Sequence, residues 1–134
     1  MRRKPRFLIA DDEPSVLLTL GLIFEQDGNQ IVKAESAAEA LQALHRSGPF
    51  DVVLTDLCME REDVGLEVAA AAAQLFPRPI VVVLTGFSSV TNAQAALHLR
   101  IDYYAIKPIE ADELKAVIHH LLEKGKERQA RVGR

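Results

Sequence analysis

Four short apolar runs in this chain each end on a reactive polar side chain, and that coincidence constrains the fold more than any other feature. Phe7-Leu8-Ile9-Ala10 ends in Asp11-Asp12, and Val52-Val53-Leu54 leads to Asp56. Ile80-Val81-Val82-Val83-Leu84 ends in Thr85, and Ile101-Asp102-Tyr103-Tyr104-Ala105-Ile106 ends in Lys107. Short, β-branched apolar runs read as parallel strands buried on both faces. In open parallel sheets the functional crevice lies beyond the carboxyl ends of the strands. Three carboxylates, a hydroxyl and an ammonium are therefore expected at one edge of one sheet. Such a set can bind a divalent metal, accept a phosphoryl group on a carboxylate, and hold the product.

Between these runs the pattern changes to helical spacing. Pro14 suits a first helical turn, and Val16, Leu17, Leu20, Ile23 and Phe24 recur at helical intervals until Gly28. Residues 30–34 read as a further short strand. Ser36-Ala37-Ala38-Glu39 has the form of a capping box, opening a helix that continues to Ser47-Gly48-Pro49. An acidic stretch, Glu60-Arg61-Glu62-Asp63, leads into an alanine-rich helix from about Leu66 to Phe76. Ser88 or Ser89 caps a predicted fourth helix, and a fifth is expected from about Glu110 to Lys124. Strict alternation of strand and helix predicts an α/β domain on a parallel sheet. With right-handed crossovers and the first and third strands adjacent at the crevice, the expected architecture is doubly wound. It has five strands in order 2-1-3-4-5 and five helices.

Composition narrows the class. A length of 134 residues suits one domain, against roughly 100–200 residues for a typical one. The expected division is a domain over residues 1–124 and a basic tail or linker over 125–134. A net charge of −3 gives no electrostatic case for nucleic-acid binding by the domain. The opening Arg2-Arg3-Lys4 is followed too soon by Asp11-Asp12-Glu13 to be a signal peptide. No run approaches the ~18 apolar residues of a membrane span. One cysteine, Cys58, leaves no internal disulfide and fits a reducing cytoplasm.

Each polar landmark has a bland explanation when taken alone. Asp11-Asp12-Glu13-Pro14 suits a solvated acidic helix start, which the helix dipole favours; beside a third carboxylate, however, mutual repulsion calls for a hard cation, and Mg²⁺ suits few carboxylates with retained waters. Asp56 alone could merely end a strand. Beside a metal it is a candidate nucleophile for an aspartyl phosphate. Thr85 can donate to a phosphoryl oxygen and Lys107 can balance its charge. Lys107 precedes Pro108, which holds it extended. Cys58 has no nearby basic group and reads as a passive loop residue. His119-His120 point different ways on a helix and make a poor chelate.

As an ordered set, Asp11-Asp12 with Glu13-Pro14, Asp56, Thr85 and Lys107-Pro108 resemble the receiver domains of two-component response regulators, over about residues 5–124. The resemblance implies a flavodoxin-like fold and a signalling module rather than an enzyme. It implies Asp56 as phosphoacceptor, and Asp12, Asp56 and the Cys58 main-chain carbonyl as Mg²⁺ ligands, with Asp11 acting through water. It further implies that Thr85 and Lys107 contact the phosphoryl group and that Tyr104 is the aromatic whose rotamer follows Thr85. A sensor histidine kinase or phosphotransfer protein is the implied donor. A homodimer or partner would use the surface of the fourth helix, fifth strand and fifth helix. The Lys107–Pro108 peptide is expected to be cis. The sequence departs from the family where Glu60 replaces the usual Pro after Met59, where Gly65 comes one residue late, and where Gly86 replaces the common alanine after the switch threonine.

Three rival readings share parts of this pattern. A haloacid-dehalogenase-type phosphatase shares the Asp nucleophile, Mg²⁺, Thr and Lys but needs Asp-x-Asp at its first strand. A flavodoxin-like cofactor binder needs a Ser/Thr/Gly-rich phosphate loop where Asp-Asp-Glu-Pro stands. A receiver-like module that is never phosphorylated usually lacks an acid, the Thr or the Lys. With little sequence on either side of the matched region, the expectation is a stand-alone receiver or the front of a longer regulator.

Overall fold

The computed structural model describes residues 4–86 and 100–132, with side chains of the last helix described through Lys126. It has β1 (Arg6–Ala10), α1 (Pro14–Gln26), β2 (Gln30–Ala34), α2 (Ala37–Arg46) and β3 (Val52–Asp56). α3 (Gly65–Ala73), β4 (Ile80–Thr85), β5 (Tyr103–Ile106) and a long last helix, here α4 (Ala111–Val132), follow. The sheet order is β2-β1-β3-β4-β5, with every pair parallel. This is the expected doubly wound topology. The helix expected from Ser88 or Ser89 lies outside the described residues.

Alternation along the strands sorts side chains into two cores. Phe7, Ile9, Val52, Leu54, Val82 and Leu84 face one side, where Leu17, Leu20 and Phe24 of α1 and Leu114 and Ile118 of α4 cover them. Leu8, Ala10, Val53, Val81 and Val83 face the other, against Ala40 and Leu44 of α2 and Val68, Ala69 and Ala72 of α3. The alanines of α3 thus serve close packing as well as helix propensity. Each fully buried aliphatic contributes about 1.5–3 kcal/mol relative to exposure.

Element ends depart from the sequence expectation in three places. α3 stops at Ala73, and Phe76 is 99% exposed, because a residue before proline resists the helical conformation. β5 begins at Tyr103, two residues late, because the Asp102 carboxylate takes the Val81 N–H at 2.7 Å in place of a strand carbonyl. α4 continues past Lys124 to Val132. Residues 123–132 are mostly good helix formers, and the lone Gly125 costs only about 1 kcal/mol. α4 runs back across the sheet. Its Leu122 and Lys126 line a cavity of about 850 Å³ with Pro5, Phe50, Asp51 and Pro77 at the amino edge. Among the described residues no helix is long and apolar enough to cross a membrane.

Candidate functional site

The register of the sheet brings the landmarks to one edge. Ala10 pairs with Thr55 across β1–β3, and Asp56 pairs with Leu84 across β3–β4. Asp11 follows β1, Asp56 closes β3, Thr85 closes β4, and Lys107 follows β5. The Lys107 N–H donates to the Thr85 carbonyl at 2.7 Å, extending the β4–β5 pairing by one step. The Lys107–Pro108 peptide is cis, as expected; Gly48–Pro49 and Phe76–Pro77 are also cis.

Asp11 is wholly buried. Its carboxylate accepts from the Glu13 N–H at 2.9 Å and from the Lys107 ammonium at 3.0 Å. Lys107 also reaches Asp56 and Glu13, each at 3.3 Å. Asp12 and Glu13 are exposed, whereas Asp56 is 6% exposed and Thr85 3%. Carboxylate oxygens of Asp11, Asp12, Glu13 and Asp56 lie within 4.8 Å of one another. The Thr85 hydroxyl makes a long local bond to the Gly86 carbonyl, 3.3 Å. Tyr104 is half-buried, and its hydroxyl, shielded from solvent, has no hydrogen-bond partner among the described residues. Cys58 is exposed.

Burial lifts the Asp56 carboxyl from 3.8 to about 6; the neighbouring Asp11 charge adds to the rise and Lys107 opposes it. Burial disfavours the Lys107 cation too, but Asp11 and Asp56 outweigh it and its pKa rises. The folded chain therefore holds the Asp56 proton more tightly than the unfolded chain does. Without metal, the stability contribution of Asp56 is highest below pH 4 and falls as pH rises to about 6. Asp56→Asn removes this loss. It is expected to stabilise the metal-free protein at pH 7.5 by up to about 3 kcal/mol, but hardly at pH 4. Denaturant melts in chelator at the two pH values check it, and an equal effect at both would contradict the assignment.

The altered loop after β3 is built from short-range bonds. The Leu57 N–H donates to the Leu84 carbonyl and the Leu57 carbonyl accepts from the Gly65 N–H, both at 2.8 Å. Asp63, at φ 59°, takes the left-handed conformation. A Cβ on Gly65 would lie 1.9 Å from the Asp56 carbonyl oxygen and 2.8 Å from the Leu57 Cα. Glu60, in place of the usual proline, reaches α2, where its carboxylate accepts from the Ala37 and Ala38 amides at 2.8 and 3.3 Å. Those bonds, the Ala37 amide foremost, hold its carboxyl below the usual range.

Three contributors are missed by reading the sequence alone. Glu13 shares the Lys107 ammonium, which its place directly after two aspartates could have signalled. Glu60 caps a helix more than 20 residues upstream, and no local pattern carries that pairing. Gly65 abuts the backbone of Asp56 itself, a contact visible only in three dimensions.

Known proteins match this arrangement. The response regulator receiver domain family matches residues 7–119. The transcriptional regulatory protein GlrR of Escherichia coli (strain K12) is 36% identical over 124 residues, covering 92% of this chain and 28% of that protein. The alginate biosynthesis transcriptional regulatory protein AlgB of Pseudomonas putida is 34% identical, covering 88% and 26%. The chain thus spans little more than a quarter of the length of these relatives. Among solved structures, a CheY-like receiver domain protein from Methanospirillum hungatei JF-1 has a TM-score of 0.87 at 26% identity, covering 94% of this chain and 99% of that one. A receiver domain protein from Clostridium thermocellum has a TM-score of 0.79 at 28% identity, covering 91% and 97%. The matched span takes in every polar group gathered at the carboxyl edge of the sheet, and on that agreement of sequence, topology and site the chain belongs to the response regulator receiver domain family of two-component signalling.

Proposed function

We propose that this chain accepts a phosphoryl group on Asp56 from the phosphohistidine of a sensor kinase or phosphotransfer protein, and that the modified state alters a docking surface. The observation that carries this reading is one nearly buried carboxylate, Asp56, set among further acids and reached by the Lys107 ammonium at 3.3 Å. An Asp56 oxygen attacks phosphorus as the donor's P–N bond breaks. The electron pair of that bond stays on the imidazole nitrogen, which takes up a proton from solvent. Lys107 then turns from Asp56 to the new phosphoryl oxygens as their counter-charge.

The donor set fits Mg²⁺: all oxygens, gathered within 4.8 Å, with Asp12 and Glu13 open to water. Asp12, Asp56 and the Cys58 main-chain carbonyl would hold the ion, with Asp11 acting through water; when bound, it supplies the positive charge that lets a phosphoryl dianion approach carboxylates. Intact-mass measurement with acetyl phosphate tests the proposal. The expected result is a single phosphoryl adduct in Mg²⁺, lost in chelator and lost in Asp56→Asn. Equal labelling of wild type and Asp56→Asn would end it.

Thr85 supplies the switch in this reading. Its hydroxyl exchanges the long Gly86 bond for a phosphoryl oxygen, and Tyr104, whose phenol has no partner to lose among the described residues, follows into the space vacated. The surface so changed includes β5 and α4, where a partner or second protomer docks. The new bond is charge-assisted, of order 1.5–3 kcal/mol, enough for a ten- to hundredfold population change. Thr85→Ala is expected to be phosphorylated on Asp56 yet to show a weakened response. NMR shifts around Tyr104 with and without beryllofluoride (a stable mimic of the aspartyl phosphate) measure it, and an undiminished response would show that the coupling runs elsewhere. We assign residues 1–124 to the receiver and 125–134 to a tail or linker, and place the module in the cytoplasm with its kinase.

A further inference from the structure

We propose that Glu60 is a positioning residue for the acidic site: by latching the loop after β3 onto the start of α2, it fixes where the Cys58 main-chain carbonyl stands. This inference rests on the reading of that carbonyl as a metal ligand. The Cys58 peptide lies between two anchored points. On one side both polar groups of Leu57 are fixed, its N–H to Leu84 and its carbonyl to Gly65. On the other, Met59 donates its N–H to the Arg61 carbonyl at 3.3 Å and packs against the core cluster beneath. The next residue, Glu60, then closes onto α2.

The latch has a definite chemistry. The first N–H groups of a helix lack intrahelical partners and face an anion favourably. In α2 the Ala37 and Ala38 amides go to Glu60, and the Glu39 amide goes to the Ser36 hydroxyl at 3.1 Å. The helix start is therefore shared between a local cap and a carboxylate sent from the loop beside the phosphoacceptor. A proline at position 60 would have stiffened the loop internally. Glutamate instead ties it to a second element, and the chain returns to β3 through the Gly65 N–H to Leu57 carbonyl bond.

If Glu60 only stabilised α2, losing it would resemble losing Ser36, the other cap of the same helix. If it positions Cys58, metal binding must respond to one and not to the other. The experiment is an NMR titration of the 134-residue chain with MgCl₂ in 0.15 M NaCl, for wild type, Glu60→Ala, Glu60→Gln and Ser36→Ala. Glu60→Ala is expected to bind Mg²⁺ about tenfold more weakly, the lower end of the loss seen when an outer partner of a metal site is removed. Glu60→Gln, which can keep one amide bond, is expected to lie between, and Ser36→Ala to match wild type in affinity while melting at a lower temperature. By reciprocity of linkage, Mg²⁺ is expected to shift the Ala37 and Ala38 amides in wild type but not in Glu60→Ala. Unchanged affinity in Glu60→Ala would overturn the proposal, as would equal weakening in Ser36→Ala. Glu60→Gln as weak as Glu60→Ala would assign the effect to charge and also overturn it. Failure of wild type itself to bind Mg²⁺ would instead remove the metal reading on which this inference stands.

Discussion

Gly65→Ala is expected to cost at least about 3 kcal/mol and to lower the melting temperature by about 10 °C. The reason is the nature of the atoms in the way. The added methyl would sit 1.9 Å from the Asp56 carbonyl oxygen and 2.8 Å from its carbonyl carbon and the Leu57 Cα, all of them backbone. No side-chain rotamer relieves such an overlap, so α3 must withdraw from β3. Withdrawal opens the contact of Val68 and Ala69 with the sheet, both fully buried, and loosens the Gly65–Leu57 hydrogen bond that anchors the loop. Phosphoryl acceptance by the folded fraction is expected to fall as well, because Asp56 carries the oxygen that is displaced. Thermal melts read the first effect and acetyl phosphate labelling at low temperature the second. A melting temperature within two or three degrees of wild type (roughly half a kcal/mol) would show that the helix yields easily and that the close approach is dispensable.

Lys107→Ala is expected to have the other large effect, and its size depends on metal. In the metal-free chain the ammonium is shared by Asp11, Glu13 and Asp56, and Asp11 has no exposure to water. Removing one partner of a fully buried ion pair costs about 3–5 kcal/mol. Here about 2–3 kcal/mol is expected, because Lys107 itself is partly exposed and Asp56 can relieve the charge by taking a proton. Mg²⁺ is expected to return much of that stability, since it answers the same uncompensated carboxylates. Phosphoryl acceptance should not recover with it. The lost charge-assisted contact leaves the reaction ten- to a hundredfold slower at saturating metal. Denaturant melts with and without MgCl₂, paired with labelling rates, separate the two roles. Full recovery of rate by metal would mean that Lys107 serves stability alone.

What the sequence disclosed follows from the range over which each interaction acts. Strands β1, β3 and β4 are legible because their alternate residues feed two separate cores, which demands nearly continuous apolar runs such as Ile80–Leu84. The meeting of Asp11, Asp56, Thr85 and Lys107 is legible because parallel strands put all their carboxyl ends on one edge, so position after a strand becomes position at the site. The shared Ser36 and Glu60 capping is half legible. Ser36 announces itself three residues before Glu39, whereas Glu60 acts through a fold that must already exist. The end of α4 is not legible, because its last turns lean on charged helix formers, whose weak individual preferences show no apolar period. The start of β5 is hidden because the Asp102 side chain stands in for a strand carbonyl.

The course of α4 has a mechanical consequence. It starts four residues beyond Lys107, is gripped at Leu114 and Ile118, and continues to Val132 past the amino edge of the sheet. From Ile118 to Val132 is about 21 Å at 1.5 Å per residue, so a tilt of roughly 5° about Ile118 swings the far end by nearly ~2 Å. Were α4 to tilt in this way, it would act as a lever with its short arm beside Lys107 and its long arm at the amino edge of the sheet. Such a fulcrum would trade force for travel: a rearrangement too small to remodel a binding face near Lys107 would still become a visible displacement of the helix's far end.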